Sequence, residues 1–544
     1  MFKKMSAQTQ FEAVELRIEG QLKPDNPWVM LAKRLPWESI EEKYAEHFKQ
    51  DAGGEVALTV RVAMGALIIK QMTGLSDRQV VAAIMENPYM QHFLGLPGFQ
   101  CEAPFHPSMM TYFRRRLPAE AVQFFNEKVI EQAKEERDAQ DTDDTDAPGD
   151  TDAADGAPPP RAYNTTQPPP SETPLSETPL SETPASVEPP ANRGTLLLDA
   201  TCAPADIPYP TDLNLVNDAR EMTEAVLDTV RLLAGAATPR PRTHREICRR
   251  RYLSVAKHPK SGASKRRKAL RFLLNALRRN LGFIHAHDAA FAKDEKLLEK
   301  VALLHAVHDQ QRMMLDTRTH SVAQRIVNLH QPHVRPIVRG KAGRATEFGA
   351  KLTASLEDGY ARVERFSWEA YNEGGDLKAS CESYKARTGH YPGAVLADKL
   401  FRTRENLAWC AARGIRLSGP KLGRPPKETD PAVLRQQLAD SSARNAMEGK
   451  FGQCKRALGL DRVMARAKTN SETVIHLSFL AANLVRWLQE AALRFLRLVF
   501  SSCFGWPEPF HHPLRPLRFN LPPCFRRPFS FIPSVPALGW GMAA

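Results

Sequence analysis

The chain has no C-x-x-C pair, no H-E-x-x-H helix and no Walker-type glycine-rich loop. The first absence excludes a zinc knuckle or a thioredoxin-like motif, the second a zincin-type metal site, the third a nucleoside triphosphate cradle. Its eight cysteines are scattered through 544 residues, which fits a reducing compartment better than a disulfide framework. The opening MFKKMSAQTQFEAVELRIEG holds no apolar run of signal-peptide length, so no secretion leader is expected. The most apolar late stretch, Val474 to Phe500, carries Arg486, Glu490, Arg494 and Arg497 and reads as a packed amphipathic helix, not a membrane span. The expectation is a cytoplasmic protein with no membrane partner.

What the chain has in excess is positive charge. Lys plus Arg number 75 against 62 Asp plus Glu, a formal net charge of +13. That balance points to an anionic partner, nucleic acid first. With 42% apolar residues a sizeable core can form, and at ~150 residues per domain the length allows about three or four domains.

Residues 1–136 read as an all-α, helix-turn-helix-like N-terminal domain that binds DNA, with an ordinary helical bundle bearing a solvated basic face as the alternative. Within VALTVRVAMGALIIKQMTGLSDRQVVAAI, apolar residues recur at helical spacing, interrupted at Thr73, Gly74 and Leu75. Ser76 and Asp77 are good caps for a second helix. A later segment, PSMMTYFRRRL, places Arg114, Arg115 and Arg116 on a short basic helix able to meet phosphates or a groove. Residues 137–193 are acidic, then rich in Pro, Ser and Thr, with SETPL repeated from Ser171. So few apolar side chains cannot offset the ordering entropy, and a disordered linker is expected.

Order resumes at TLLLDAT, a short apolar strand expected to end on Asp199. A helical region over 213–331 follows, with a dense basic block between Arg240 and Arg279 that includes Arg266 and Arg267 and interleaves Tyr252 and Phe272. So one-sided a block suits a phosphate-tracking surface. Paired histidines, His285 with His287 and His305 with His308, lack a metal-site pattern and read as surface or packing residues. Strand-like runs reappear in VRPIV, ATEFGAKLTASL and YARVERFSW, then GAVLAD ends a strand on Asp398. From Asp440 a long helix carries Glu448 and runs past Lys455. Residues 486–544 comprise the end of a last helix and a tail rich in Pro and Phe.

Two aspartates at strand ends and a glutamate on a later helix suit divalent-metal chemistry on a phosphodiester. Strand ends at one edge of an α/β sheet are where ligands bind, and carboxylates are the ligands hard cations prefer. Arg444 stands four residues before Glu448 and Lys455 seven after it, so all three share one helix face.

The segments TLLLDATCAPADIPYPTDLNLVNDAR, AVLADKLFRTRENLAWCAARGIRLSGPKLGRP and RNAMEGKFGQCKRALGL together resemble bacterial insertion-sequence transposases of the DDE superfamily, in the group with the Y-R-E-K signature. The resemblance implies an α/β, RNase H-like catalytic domain over 194–485, with 213–331 as a helical basic insertion. It implies Asp199, Asp398 and Glu448 as the catalytic, metal-binding triad, with two Mg²⁺ ions that Mn²⁺ could replace. Arg444 and Lys455 become the signature Arg and Lys beside the transferred phosphate. The signature Tyr falls at Ser441, which departs from the pattern but can still hydrogen-bond a phosphate. Trp409 is a positional candidate for holding a flipped base, against the alternative of a packed helix residue. The implied activity is cutting at terminal inverted repeats and joining the 3′-OH ends to target DNA, by a homodimer among the bacterial nucleoid. A nuclease of the same fold without strand transfer, and a non-catalytic DNA-binding remnant, are the alternatives.

Overall fold

Pro27 opens the first helix of the computed structural model, which describes residues 22–46, 57–143, 191–341 and 344–504, apart from 236–237, 239, 259, 421 and 424–429. The linker expected over 137–193 and the C-terminal tail lie largely outside the described residues. Among the described residues, seven helices make up the N-terminal region: α1 (Pro27–Arg34), α2 (Trp37–Ala45), α3 (Val60–Thr73), α4 (Asp77–Glu86), α5 (Pro88–Phe93), α6 (Met109–Arg116) and α7 (Ala119–Asp143). The interruption read at Thr73 to Leu75 is a true helix end. Gly74 takes the left-handed conformation (φ 70°) that a side chain resists. Ser76 then starts α4 through a capping box: its hydroxyl accepts from the Gln79 N–H while the Gln79 side chain accepts from the Ser76 N–H. α3 is buried almost all round, and the open side of α4 carries Arg78, Gln79, Ala82 and Glu86 rather than a basic stripe. α7 runs to Asp143, past the boundary expected at 136.

The segment TLLLDATCAP is a single strand, β1 (Thr195–Pro204). The helices α8 (Asp212–Leu233), α9 (Arg245–Ala256), α10 (Ala263–His285), α11 (Asp288–Phe291) and α12 (Glu295–Thr317) are inserted after it. They bury their own core, in which Val216, Leu227, Leu273, Leu277 and Leu304 meet. The chain returns through β2 (Arg335–Lys341), β3 (Arg344–Glu357) and β4 (Tyr360–Ser367), crosses α13 (Leu377–Thr388), and forms β5 (Ala394–Ala397), α14 (Arg404–Ala411) and β6 (Arg416–Leu417). Two long helices end the described chain, α15 (Pro431–Ala457) and α16 (Lys468–Phe504).

One mixed sheet organises these elements, in the order β2-β3-β1-β5-β6, with β4 also on β3. β3 is long enough to pair antiparallel with β2 along its first part and with β4 along its second. β1 runs antiparallel to β3 and parallel to β5, and β5 is parallel to β6. On one face, Leu196, Leu198, Leu377, Val395 and Phe401 form a small core under α13 and α14. On the other, the largest core runs without a break from α1–α7 through Leu352 and Ala354 of β3 to Leu480 and Trp487 of α16. Buried polar contacts fix this junction. Asn483 Oδ1 accepts from the Ala361 N–H at 2.8 Å, Gln71 Nε2 donates to Ser478 Oγ at 2.8 Å, and the Thr473 hydroxyl donates to the Leu117 carbonyl at 3.0 Å. The N-terminal helices and the sheet therefore share one hydrophobic interior.

Candidate active site

Asp199 and Asp398 are placed side by side by strand register. The parallel pairing of β1 with β5 ends at Leu198 opposite Ala397, and each aspartate is the next residue along the chain. The strand reading needs one correction: β1 does not stop at Asp199. It continues to Pro204 because β3 stays paired with it along that whole length. Asp199 is thus the residue at which β1 loses its parallel neighbour while keeping its antiparallel one. Asp398 ends its strand as expected, and its carboxylate caps the short 3-10 turn Lys399–Phe401 by accepting from the Lys399 N–H at 2.7 Å.

The two carboxylates differ in environment. Asp199 Oδ1 accepts from the Ala200 N–H at 2.8 Å. Burial raises the Asp199 pKa, and the negative charges of Asp398 and Glu373 push the same way, against the Ala200 N–H and Arg444. Asp398 is 45% exposed. Glu373 was not singled out from sequence. It lies on the 3-10 turn Glu373–Asp376 and is held by Lys351 Nζ at 2.6 Å. Lys351 also donates to the Tyr371 carbonyl at 2.7 Å, which pins the turn to β3. No motif announces Glu373; only the long-range pairing of β3 with the turn brings it near Asp199.

α15 supplies the cations and the third acid. It is anchored at β6 by a two-point ion pair, Arg416 with Asp440, at 2.6 and 3.0 Å. One turn on, Arg444 Nη2 stands 3.6 Å from Asp398 Oδ1. Met447, Phe451 and Cys454 then bury the inner face in the main core. Glu448 follows Arg444 by one turn, with its side chain exposed. Lys455 is half-buried two turns beyond Glu448, and Ser441 is exposed. Among the described residues, no three His, Cys, Asp or Glu side chains stand close enough to cage a metal. The structure brings Asp199 and Asp398 together with Arg444, but it does not close Glu448 onto them. A desolvated carboxylate beside a half-exposed one nonetheless fits a hard divalent cation, since Mg²⁺ is commonly held by one or two carboxylates, with waters and substrate oxygens completing its shell.

The remaining candidates differ in exposure and in what they touch. Arg114 is buried, and its guanidinium grips Asp77 at 3.2 and 2.8 Å, so it links α6 to α4. Arg115 is exposed, over the Tyr112 ring at 5.1 Å, and Arg116 sits beside the Tyr44 hydroxyl. Trp409 is packed at the edge of the smaller core, with its ring 6.0 Å from Tyr391 and the Arg413 guanidinium 4.1 Å above it. On the insertion, Arg266 and Arg267 are exposed at the start of α10, beside Lys265 and Lys268. The aromatics read among these cations are used in packing. Tyr252 donates to Asn214 at 3.1 Å, and Phe272 lies under Arg251 at 5.3 Å. His285 and His305 stack at 4.7 Å, with His285 on Asp288 at 2.9 Å. No described helix is long and apolar enough to cross a membrane.

Comparison with known proteins bears on both ends of this arrangement. Residues 395–485, from β5 into α16, match the model of a transposase DDE domain, and residues 16–116 match that of a transposase domain (DUF772). The first match contains Asp398, Arg444, Glu448 and Lys455; the second covers α1 to α6. A 117-residue stretch is 32% identical to an uncharacterized protein, ORF8 in the nfe locus of Rhizobium meliloti; it covers 22% of this chain and spans 56% of that relative's length. No solved structure matches the chain. The chain thus matches a transposase domain on each side of the linker and the insertion, the DDE match includes the Asp398–Arg444 contact, and together these matches support an insertion-sequence transposase of the DDE type.

Proposed function

We propose that this protein cuts DNA at the ends of an insertion sequence and joins the freed 3′-OH groups to target DNA. The observation that carries the reading is the register of β1 and β5, which sets Asp199 beside Asp398, with Arg444 of α15 at 3.6 Å from the latter. The strand order, with β1, β5 and β6 parallel and β2, β3 and β4 antiparallel, fits an RNase H-like catalytic fold.

Asp199 and Asp398 would hold divalent ions, Mg²⁺ in the first instance, with Glu448 completing the set. Such ions, when bound, activate the attacking oxygen and stabilise the departing one. The chain's own residues do the rest. Asp199, partly desolvated among other acids, favours a bound cation because its charge is otherwise poorly compensated. Arg444 neutralises Asp398 in the free protein and is placed to meet charge on the phosphate. Lys455 and Ser441 lie on the same helix and extend the contact along the strand being cut. α9 and α10 track duplex phosphates through Arg266, Arg267 and their neighbours, and Arg115 adds a cation from α6. A homodimer holding two ends together completes the reading.

A strand-transfer assay tests it against a nuclease of the same fold. Purified protein is given pre-cleaved ends taken from the DNA flanking the gene, together with a target plasmid. Joined products support transposition. Cleavage of uncut ends without any joining leaves the nuclease reading.

A further inference from the structure

Tyr209 is the most exposed aromatic side chain among the described residues, at 74%, and its hydroxyl makes no hydrogen bond to any of them. A lone exposed tyrosine needs no explanation by itself. This one is held in place. It lies in Ile207-Pro208-Tyr209-Pro210, where two prolines restrict the backbone, and Thr211 immediately caps α8. Its ring stands edge-on to Phe348, with centroids 5.5 Å apart and an interplanar angle of 89°. Phe348 is in turn fixed to the end of β1, since its carbonyl accepts from the Ala205 N–H at 2.8 Å. β1 and β3 approach so closely there that a Cβ on Gly349 would lie 2.1 Å from the Ala203 carbonyl oxygen.

Register relates this platform to the acids. Asp199 pairs with Ala354 of β3, so the two share a face of the sheet. Phe348 is six residues before Ala354 in the same strand, an even number, and therefore on that same face. At ~3.3 Å per residue the separation along the strand is about 20 Å. The adjoining loop is bridged to the platform at Ala205 and Val463, and it carries the exposed Arg466 and Lys468. Tyr209 thus stands between the sheet and the first helix of the basic insertion, beyond the part of this face that the main core covers at Ala203, Ala350 and Leu352.

We infer that Tyr209 is a DNA-backbone contact, donating its hydroxyl to a phosphate of the duplex that the basic insertion holds. The inference rests on the DNA reading above and adds a neutral, rigid anchor to its cationic surface. A neutral donor has a distinctive signature: it contributes affinity but releases no counterion, so the salt dependence does not change.

The test is fluorescence anisotropy of the full chain with a labelled 40-base-pair duplex over a salt series, for wild type, Tyr209→Phe and Tyr209→Ala, with thermal melting of each. Tyr209→Phe is expected to weaken binding by roughly three- to tenfold, the size of one lost hydrogen bond. Its melting temperature and the slope of log affinity against log salt should not move, and Tyr209→Ala should lose at least as much affinity. Wild-type affinity in the Phe variant would overturn the contact while leaving the DNA reading intact. A shallower salt slope in the Phe variant would overturn the neutral-donor assignment. If wild type binds no duplex at any salt, both the contact and the reading it rests on fall.

Discussion

Arg444 of α15 reaches across to Asp398 at the end of β5, Nη2 to Oδ1 3.6 Å, and so places a cation where a divalent ion would also sit. The two compete for the same carboxylate. Arg444→Ala should therefore bind Mn²⁺ more tightly than wild type, measured by calorimetry on the DNA-free protein. It should also cleave DNA more slowly, by about 10²-fold if Arg444 acts on the transition state. Tighter metal binding with unchanged cleavage would assign Arg444 to resting neutralisation alone.

Asp199 has a raised pKa, caused first by burial and then by Asp398 and Glu373. The sign follows directly. A group with a raised folded-state pKa favours the fold fully below its ordinary range and loses that advantage as pH rises through the shifted value. Asp199→Asn should melt above wild type at pH 7, with the difference shrinking as pH falls towards 4. Mg²⁺ should raise the melting temperature of wild type and not of the variant. A variant that melts lower than wild type at both pH values would show that the carboxylate is not strained by its surroundings.

Arg114 and Arg115 are adjacent in sequence and opposite in use. Arg114 is tied to Asp77 in the interior, so Arg114→Ala should cost about 2 kcal/mol of stability by removing a two-point ion pair and leaving Lys70 as the only cation on that partly buried carboxylate. Arg115→Ala should leave denaturant unfolding unchanged and weaken DNA binding. The reverse pattern would contradict the placement of α6.

Arg266 and Arg267 are exposed on the insertion. If both contact phosphates, Arg266→Ala/Arg267→Ala should lower the magnitude of the log–log salt slope by about 2, near 0.9 per lost contact. An unchanged slope would move the DNA path away from α10.

Much of this site is legible in the sequence because it is local. The segments GAVLAD and TLLLDAT announce buried strands, and Arg444, Glu448 and Lys455 can be placed on one face by counting along a helix. What depends on partners distant in sequence is not legible. The end of β1 is set by β3, some 150 residues later, so Asp199 is found inside a strand rather than at its end. Arg114 looks like a groove-reading residue until Asp77 is seen to hold it. Tyr252 and Phe272 look like part of a phosphate-tracking surface until the insertion packs them. Glu373 carries no signal at all, because its position depends on Lys351 of β3.

Metal-dependent cleavage at Asp199 and Asp398 is the central claim, and one assay addresses it most directly. A plasmid carrying the gene with its flanking DNA is incubated with wild type, Asp199→Ala, Asp398→Ala and Glu448→Ala, in Mg²⁺ and in EDTA. The account predicts breaks at the element ends with wild type and Mg²⁺ only, while all three variants still bind the plasmid. Mg²⁺-dependent end cleavage by Asp199→Ala or Asp398→Ala at the wild-type rate would contradict it.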